Sequence, residues 1–370
     1  MKKRLISMMM LVALALAGCS ASNSTQTQVI KVNSESGDTE IDADDLETEA
    51  TTSVQNGVQV SEQYVFAMDK EMYLTVYGDE SDSAIAAAAD EINRIDSLLS
   101  VGDKDSEIYK INNTGSAVIS DETYSLIERA IEIGKDTKGA LDITVYPLMD
   151  AWGFTTQNYR VPDESEIKSL LETMGTDKIS YDKSTSTLTV ADGTQIDLGA
   201  IAKGYTSSRL MEIFSQYDVD SAMVSLGGNV HVYGTKTDGS DWNVAIADPD
   251  DTSSYLGAVK IADKCVITSG GYERYFEQDG VTYHHILDPS TGYPADSGLT
   301  SVTIVSDDGT LADGLSTALF VMGLEDASDY WRQHSDEFDF VIKTSDGKVY
   351  ITSGIENVFS SSYKYEVVSK

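Results

Sequence analysis

Positive charge is scarce in this 370-residue chain: 26 lysines and arginines stand against 61 aspartates and glutamates, a formal net charge of -35. Such a surface repels phosphate backbones and anionic lipid, which argues against nucleic acid or an electrostatically held membrane as a partner. It also repels nucleotides, so any phosphate-bearing substrate needs a metal ion or a local lysine. Cysteine is nearly absent, with Cys19 and Cys265 the only two. That leaves a cysteine-ligated structural zinc without support, and the lack of a His-Glu-x-x-His run removes a zincin. Also missing are Gly-x-Ser-x-Gly, the P-loop and Gly-x-Gly-x-x-Gly, and with them the commonest hydrolase, NTPase and dinucleotide-fold readings.

What is present begins with an export signal. Lys2, Lys3 and Arg4 precede an apolar stretch, Leu5 to Ala17, that is shorter than the roughly 20 residues a membrane-crossing helix needs. Its ending, Leu16-Ala17-Gly18-Cys19, resembles a bacterial lipobox, in which the cysteine becomes the lipidated N-terminus. Residues 1–18 are therefore expected to be a lipoprotein signal and Cys19 the lipid anchor, on the outer face of the cytoplasmic membrane or on an outer membrane. Used so, Cys19 leaves no partner for an intramolecular disulfide. Residues 19–59 are acidic and rich in serine and threonine without a regular apolar period. This composition predicts a disordered tether, with one folded domain over 60–370.

Within that domain, Val65 to Tyr77 reads as strand, and Asp82 to Leu99 as a helix whose apolar stripe includes Ile85, Ala88, Ile92 and Ile95. Ser120 should cap a second helix with Gly139 past its end, and Asp163 with Glu166 should form the capping box of a third. From Lys178 the pattern turns to short strands with Asp-Gly turns at 192, 238, 279 and 346. Helices intervene over about 199–217, 311–322 and 325–333. Helices early and hairpins late predict an α+β fold with a largely antiparallel sheet.

Three places combine polar groups with apolar surroundings. Asp313 and Thr317 are four apart on a predicted helix and share a face, a pair of hard oxygens suited to Mg²⁺. The commoner meaning of such a pattern is a capping box, with Thr310 as N-cap and Asp313 at N3. The run Thr194 to Tyr205 passes through Asp197 and Gly199 into a helix bearing Lys203. It is either an anion site at a helix start or a capped turn with a solvated lysine. His284 and His285 are consecutive on a strand, so they face opposite sides and cannot chelate one metal together. The glycine runs 225–229 and 269–271 read as hairpin punctuation.

An ordered set of motifs then links these places. It comprises Gly139-Ala140-Leu141-Asp142-Ile143-Thr144 with Pro147, and Trp152-Gly153-Phe154. Next come Asp197-Leu198-Gly199-Ala200-Ile201-Ala202-Lys203-Gly204, Leu226-Gly227-Gly228-Asn229 and Thr268-Ser269-Gly270. The last are His285-Ile286-Leu287-Asp288-Pro289 with Thr291-Gly292-Tyr293-Pro294, and Ala312-Asp313 through Thr317. Together they resemble the FAD:protein FMN transferases, the ApbE-like lipoproteins.

The resemblance implies an α+β, T-fold-related architecture and a Mg²⁺-dependent enzyme that cleaves the FAD pyrophosphate. FMN passes to a threonine or serine hydroxyl of an exported flavoprotein and AMP is released. It further implies a metal held by the Ala200 backbone oxygen, Asp313 and Thr317. FAD would be held by Met68, Ala140, Leu141, Asp142, Asp197, Lys203 and Leu287. At one point the chain departs from the family, with Met68-Asp69-Lys70 where Met-Gly-Thr is usual. Lys203 would assist electrostatically, and His285, whose ring titrates near neutrality, is the candidate base for the acceptor hydroxyl. Two other readings stand beside this one: an FAD pyrophosphatase with water as acceptor, and a non-catalytic lipid-anchored flavin-binding protein.

Overall fold

A computed structural model describes residues 49–370. The export signal, Cys19 and most of the predicted tether lie outside the described residues. In chain order, strands β1 (Thr51–Gln55), β2 (Val58–Ala67) and β3 (Lys70–Tyr77) lead into helices α1 (Ser81–Leu99) and α2 (Glu107–Thr114). Then come β4 (Ser116–Val118), α3 (Asp121–Asp136), α4 (Tyr146–Ala151), α5 (Glu164–Leu171), β5 (Ile179–Asp182), β6 (Thr187–Val190) and α6 (Ala202–Phe214). Strands β7 (Ser221–Leu226), β8 (Asn229–Tyr233), β9 (Trp242–Asp248), β10 (Asp251–Ile261) and β11 (Cys265–Gly270) follow. The chain closes with β12 (Tyr275–Gln278), β13 (Val281–His284), β14 (Leu299–Ser306), α7 (Gly309–Gln333), β15 (Phe338–Thr344), β16 (Val349–Thr352), β17 (Phe359–Ser360) and β18 (Tyr365–Val368).

Ten strands form one sheet in the order β1-β2-β3-β7-β8-β11-β14-β15-β16-β18. Every pairing in it is antiparallel except β16 with β18. The α+β expectation holds. Alternation along β3 shows how the sheet sits between two layers. Met72, Leu74 and Val76 pack under α1 and α6, while Tyr73 and Tyr77 face the small sheet β17-β10-β9 on the other side. The central and small sheets are tied by Lys343 on β15, buried in an ion pair with Asp248 at 2.5 Å and reaching Asp250 at 2.7 Å. Cys265 is buried in β11 without a disulfide, and burial pushes its thiol up to about 12, which makes it inert.

The predicted helices are present with shifted ends. Ser120 caps α3 through Thr123, Gly139 follows it at φ 89, and the two predicted C-terminal helices run on as α7 with a break at Gly323 (φ 81). Four expectations are corrected. Order begins before Val60: β1 pairs with β2 through the two-residue turn Asn56-Gly57 (φ 52 and 86), a hairpin signal that the polar composition hid. The Asp163–Glu166 capping box is incomplete: Asp163 is the N-cap of α5 but its side chain accepts no cap bond, and Glu166 pairs with Arg160. Helix α6 starts at Ala202 rather than Gly199, since Asp197 turns the chain first. Of the two glycine runs, Gly227-Gly228 makes the β7–β8 hairpin, but Gly270-Gly271 carries the chain off the end of β11 toward a cavity.

The N-cap of α7 is Asp308, whose Oδ1 accepts from the Leu311 N–H at 3.0 Å. Thr310 therefore does not cap, and Asp313 is released from the capping-box role. Asp308→Ala is expected to lower stability by about 1 kcal/mol, read as a shift in denaturant midpoint at unchanged slope.

Candidate active site

A cavity of about 420 Å³ opens where the helix layer meets the ends of the central strands. Every residue singled out for the site by sequence lines it: Met68, Ala140, Leu141, Asp142, Asp197, Ala200, Lys203, His285, Leu287, Asp313 and Thr317. They come from five separate places in the chain, and the topology explains their meeting. The β2–β3 and β7–β8 turns lie side by side at one end of the sheet, joined by the Gly227 N–H donating to the Glu71 carbonyl at 3.1 Å.

Helices α6 and α7 cross in near backbone contact. A Cβ on Gly204 would stand 2.0 Å from the Gly309 carbonyl oxygen and 2.6 Å from the Cβ of Asp313. This closeness lets Asp313, only 3% exposed, accept the Gly204 N–H on Oδ2 at 2.8 Å. Asn229 donates to Oδ1 at 3.0 Å, and the Lys203 ammonium is 3.5 Å from the same oxygen. The carboxylate is thus fixed by two neutral donors and one cation. Thr317 lies one turn on, its hydroxyl 3.3 Å from that of Ser269.

Asp197 accepts the Gly199 N–H at 2.7 Å, and burial raises its pKa against that bond and the charges of Arg274 and Lys203. The segment is held from behind by Asn112, whose amide donates to the Ile196 carbonyl and accepts the Ile196 N–H. Asp142 closes a turn by accepting from both the N–H and the hydroxyl of Thr144, at 2.8 and 2.6 Å. Leu287 is buried in a bridge to Pro294, and the turn between them is locked when Trp152 donates to the Gly292 carbonyl at 2.9 Å.

The two histidines diverge as strand alternation requires. His284 packs edge-on against Phe320, with Nε2 3.1 Å from the Ala295 carbonyl oxygen; it is structural. His285 has Nδ1 3.2 Å from the Arg274 carbonyl oxygen, an acceptor only, so the ring hydrogen sits on Nδ1 and Nε2 keeps its lone pair. Burial, helped by Arg274, His284 and Lys70, lowers its pKa to about 3. The ring is therefore neutral at physiological pH rather than titrating near it.

Sequence reading missed Lys70, Glu273, Arg274 and Phe66, all of which line the cavity. For Lys70 a signal existed, because it shares strand parity with the buried Met72 and Leu74. Glu273 and Arg274 follow a glycine pair and have no periodic signal at all. In total six carboxylates line the cavity against three cations, Lys70, Lys203 and Arg274. A further positive charge would therefore favour phosphate entry. Asp313, the Thr317 hydroxyl and the Ala200 carbonyl are all hard oxygen donors, and each Asp313 oxygen retains a lone pair, so the donor set fits Mg²⁺. Among the described residues no three His, Cys, Asp or Glu side chains cluster as a metal site. A cation here would take one carboxylate and neutral oxygens, leaving room for substrate phosphate and water, as Mg²⁺ commonly does.

Comparison with known proteins places this arrangement. An FAD:protein FMN transferase of Klebsiella pneumoniae is 35% identical over 272 residues, covering 72% of this chain and 84% of that protein. One of Treponema pallidum is also 35% identical, covering 68% and 75%. The crystal structure of the ApbE protein of Thermotoga maritima superposes with a TM-score of 0.75 at 36% identity, covering 80% of this chain and 98% of that one. The flavin transferase ApbE of Vibrio cholerae gives 0.72 at 27% identity, covering 81% and 99%. The ApbE family model matches residues 68–342, from the β2–β3 turn through β15, and the chain belongs to the ApbE family.

Proposed function

We propose that this protein is a Mg²⁺-dependent FAD:protein FMN transferase, anchored through Cys19 outside the cytoplasmic membrane, that modifies a threonine or serine of an exported flavoprotein. The observation that carries this reading is the fixed, buried Asp313 carboxylate facing one cavity together with Thr317, Ala200, Lys203 and His285. Asp313, Thr317 and the Ala200 carbonyl would hold the metal. When bound, Mg²⁺ neutralises the pyrophosphate and stabilises charge on the departing AMP.

The chain's own residues do the rest. Met68, Ala140, Leu141 and Leu287 offer apolar or backbone contact to the flavin nucleotide, and Asp142 and Asp197 offer acceptors to it. The Lys203 ammonium stands beside Asp313 and counters phosphate charge. With its ring hydrogen on Nδ1, His285 accepts the proton of the acceptor hydroxyl at Nε2 as that oxygen attacks phosphorus. Phosphorus–oxygen bond formation to the hydroxyl and cleavage of the pyrophosphate bond leave FMN esterified to the acceptor and AMP free.

Incubating the protein with FAD, Mg²⁺ and a threonine-bearing flavoprotein domain tests this by intact mass of the acceptor. An FMN adduct with equimolar AMP is expected. AMP released at the same rate without an acceptor would establish a pyrophosphatase instead, and tight FAD binding with no AMP in either case would establish a flavin-binding protein. In the same assay His285→Ala is expected to slow transfer about a hundredfold or more. A His285→Ala protein that transfers at the wild-type rate would place the base elsewhere.

A further inference from the structure

The reading above leaves one half-buried lysine without a task. Lys70 begins β3, and alternation puts it on the same sheet face as Met72, Leu74 and Val76. Those three are covered by α1 and α6, but Lys70 lies at the strand end and lines the cavity instead. Its position is built rather than incidental. The preceding turn takes Met68 and Asp69 through φ 52 and 58, a left-handed pair for which non-glycine residues are a costly choice. Across from it, Gly227 leaves space for the lysine stem: a Cβ there would stand 2.8 Å from both Cβ and Cγ of Lys70.

The ammonium makes no ion pair within 4.0 Å among the described residues. Burial lowers its pKa; the charges of Arg274 and Lys203 act in the same direction, and Glu273 acts against them. Glu273 in turn is raised by burial and opposed by Lys70, Lys203 and Arg274 together. Lys70, Lys203 and Arg274 thus line one cavity together with Glu273, in a chain with a formal charge of -35. Like charges gathered and desolvated in this way are stabilised by an anion that enters among them.

We propose that Lys70, with Arg274 beside it, is a phosphate-binding arm that holds the FAD pyrophosphate independently of the metal ion. This rests on FAD being the substrate. It assigns to the departure Met68-Asp69-Lys70 a specificity role: the lysine contributes ground-state affinity for the phosphorylated flavin, whereas Asp313 and Lys203 serve the bond-breaking step.

The test is flavin binding by the full chain in EDTA, followed by fluorescence, with FAD and with riboflavin, which lacks phosphate. Lys70→Met keeps the stem against Gly227 and removes only the charge. It is expected to weaken metal-free FAD binding about tenfold, to flatten its salt dependence and to leave riboflavin binding unchanged. Lys70→Arg should restore FAD affinity to within about threefold of wild type, because a guanidinium also pairs with phosphate. Equal FAD affinity in wild type and Lys70→Met, or a parallel loss of riboflavin binding, overturns the assignment. If that happens while the acceptor is still flavinylated with Mg²⁺ present, the transferase reading stands without it. A wild-type protein that binds no FAD in EDTA overturns the metal-independent arm, and one that binds none with Mg²⁺ either overturns both.

Discussion

Replacing Asp313 with asparagine is expected to leave a folded protein whose FMN transfer is reduced about a thousandfold or more. The substitution keeps the size of the side chain and an oxygen for the Gly204 N–H, while the Asn229 amide can turn to offer its carbonyl to the new NH₂ group. What is lost is the one carboxylate of the proposed metal site and the charge beside Lys203. Thermal unfolding should shift little, whereas the FMN adduct on the acceptor should vanish at ordinary enzyme concentration. Mg²⁺ should no longer tighten FAD binding in a titration. An Asp313→Asn protein that labels its acceptor within tenfold of wild type would remove Asp313 from the chemistry.

The second large effect falls on stability. Gly204→Ala drives a methyl group into the Gly309 carbonyl, where the Cβ would stand at 2.0 Å, and toward the Asp313 Cβ at 2.6 Å. Both contacts are to parts of the structure that cannot swing aside, so α6 and α7 must separate. A loss of about 3 kcal/mol is expected, with transfer lost as well because the Gly204 N–H no longer fixes Asp313. Denaturant unfolding measures the first and the acceptor's mass the second. A loss below about 0.5 kcal/mol would mean that the two helices are not locked at this crossing. The pair of variants separates two roles of one contact: Asp313→Asn removes chemistry and spares the fold, and Gly204→Ala removes both.

The helices were legible where the apolar period was strong, as in α1, or coincided with a cap, as in α3. Ends were less legible, because they depend on which side chain reaches which backbone group. Asp308 rather than Thr310 caps α7, and Asp163 caps nothing with its side chain, for reasons that lie in neighbouring elements. Strand β1 escaped because its residues are polar and exposed; it exists through pairing with β2 and the Asn56-Gly57 turn, not through burial. For the site, spacing alone favoured a capping box over a metal pair for Asp313 and Thr317. The ordered motifs pointed to the second, and the position of Asp308 as N-cap removed the first.

By itself the sequence determined the charge economy of this protein, its periodic helices, its family and the residues from which a site had to be assembled. These are properties of composition, period and order, and they survive without knowledge of distance. Tertiary structure decided which of those residues meet. The cavity forms because the glycines at 204 and 309 let two helices touch and because the β2–β3 and β7–β8 turns abut. Only that meeting makes His285 a neutral ring, sinks Asp313 among fixed donors and sets Lys70, a lysine like any other in the chain, in the lining of the cavity. Burial and long-range electrostatics arise from residues far apart in sequence, so no local pattern carries them.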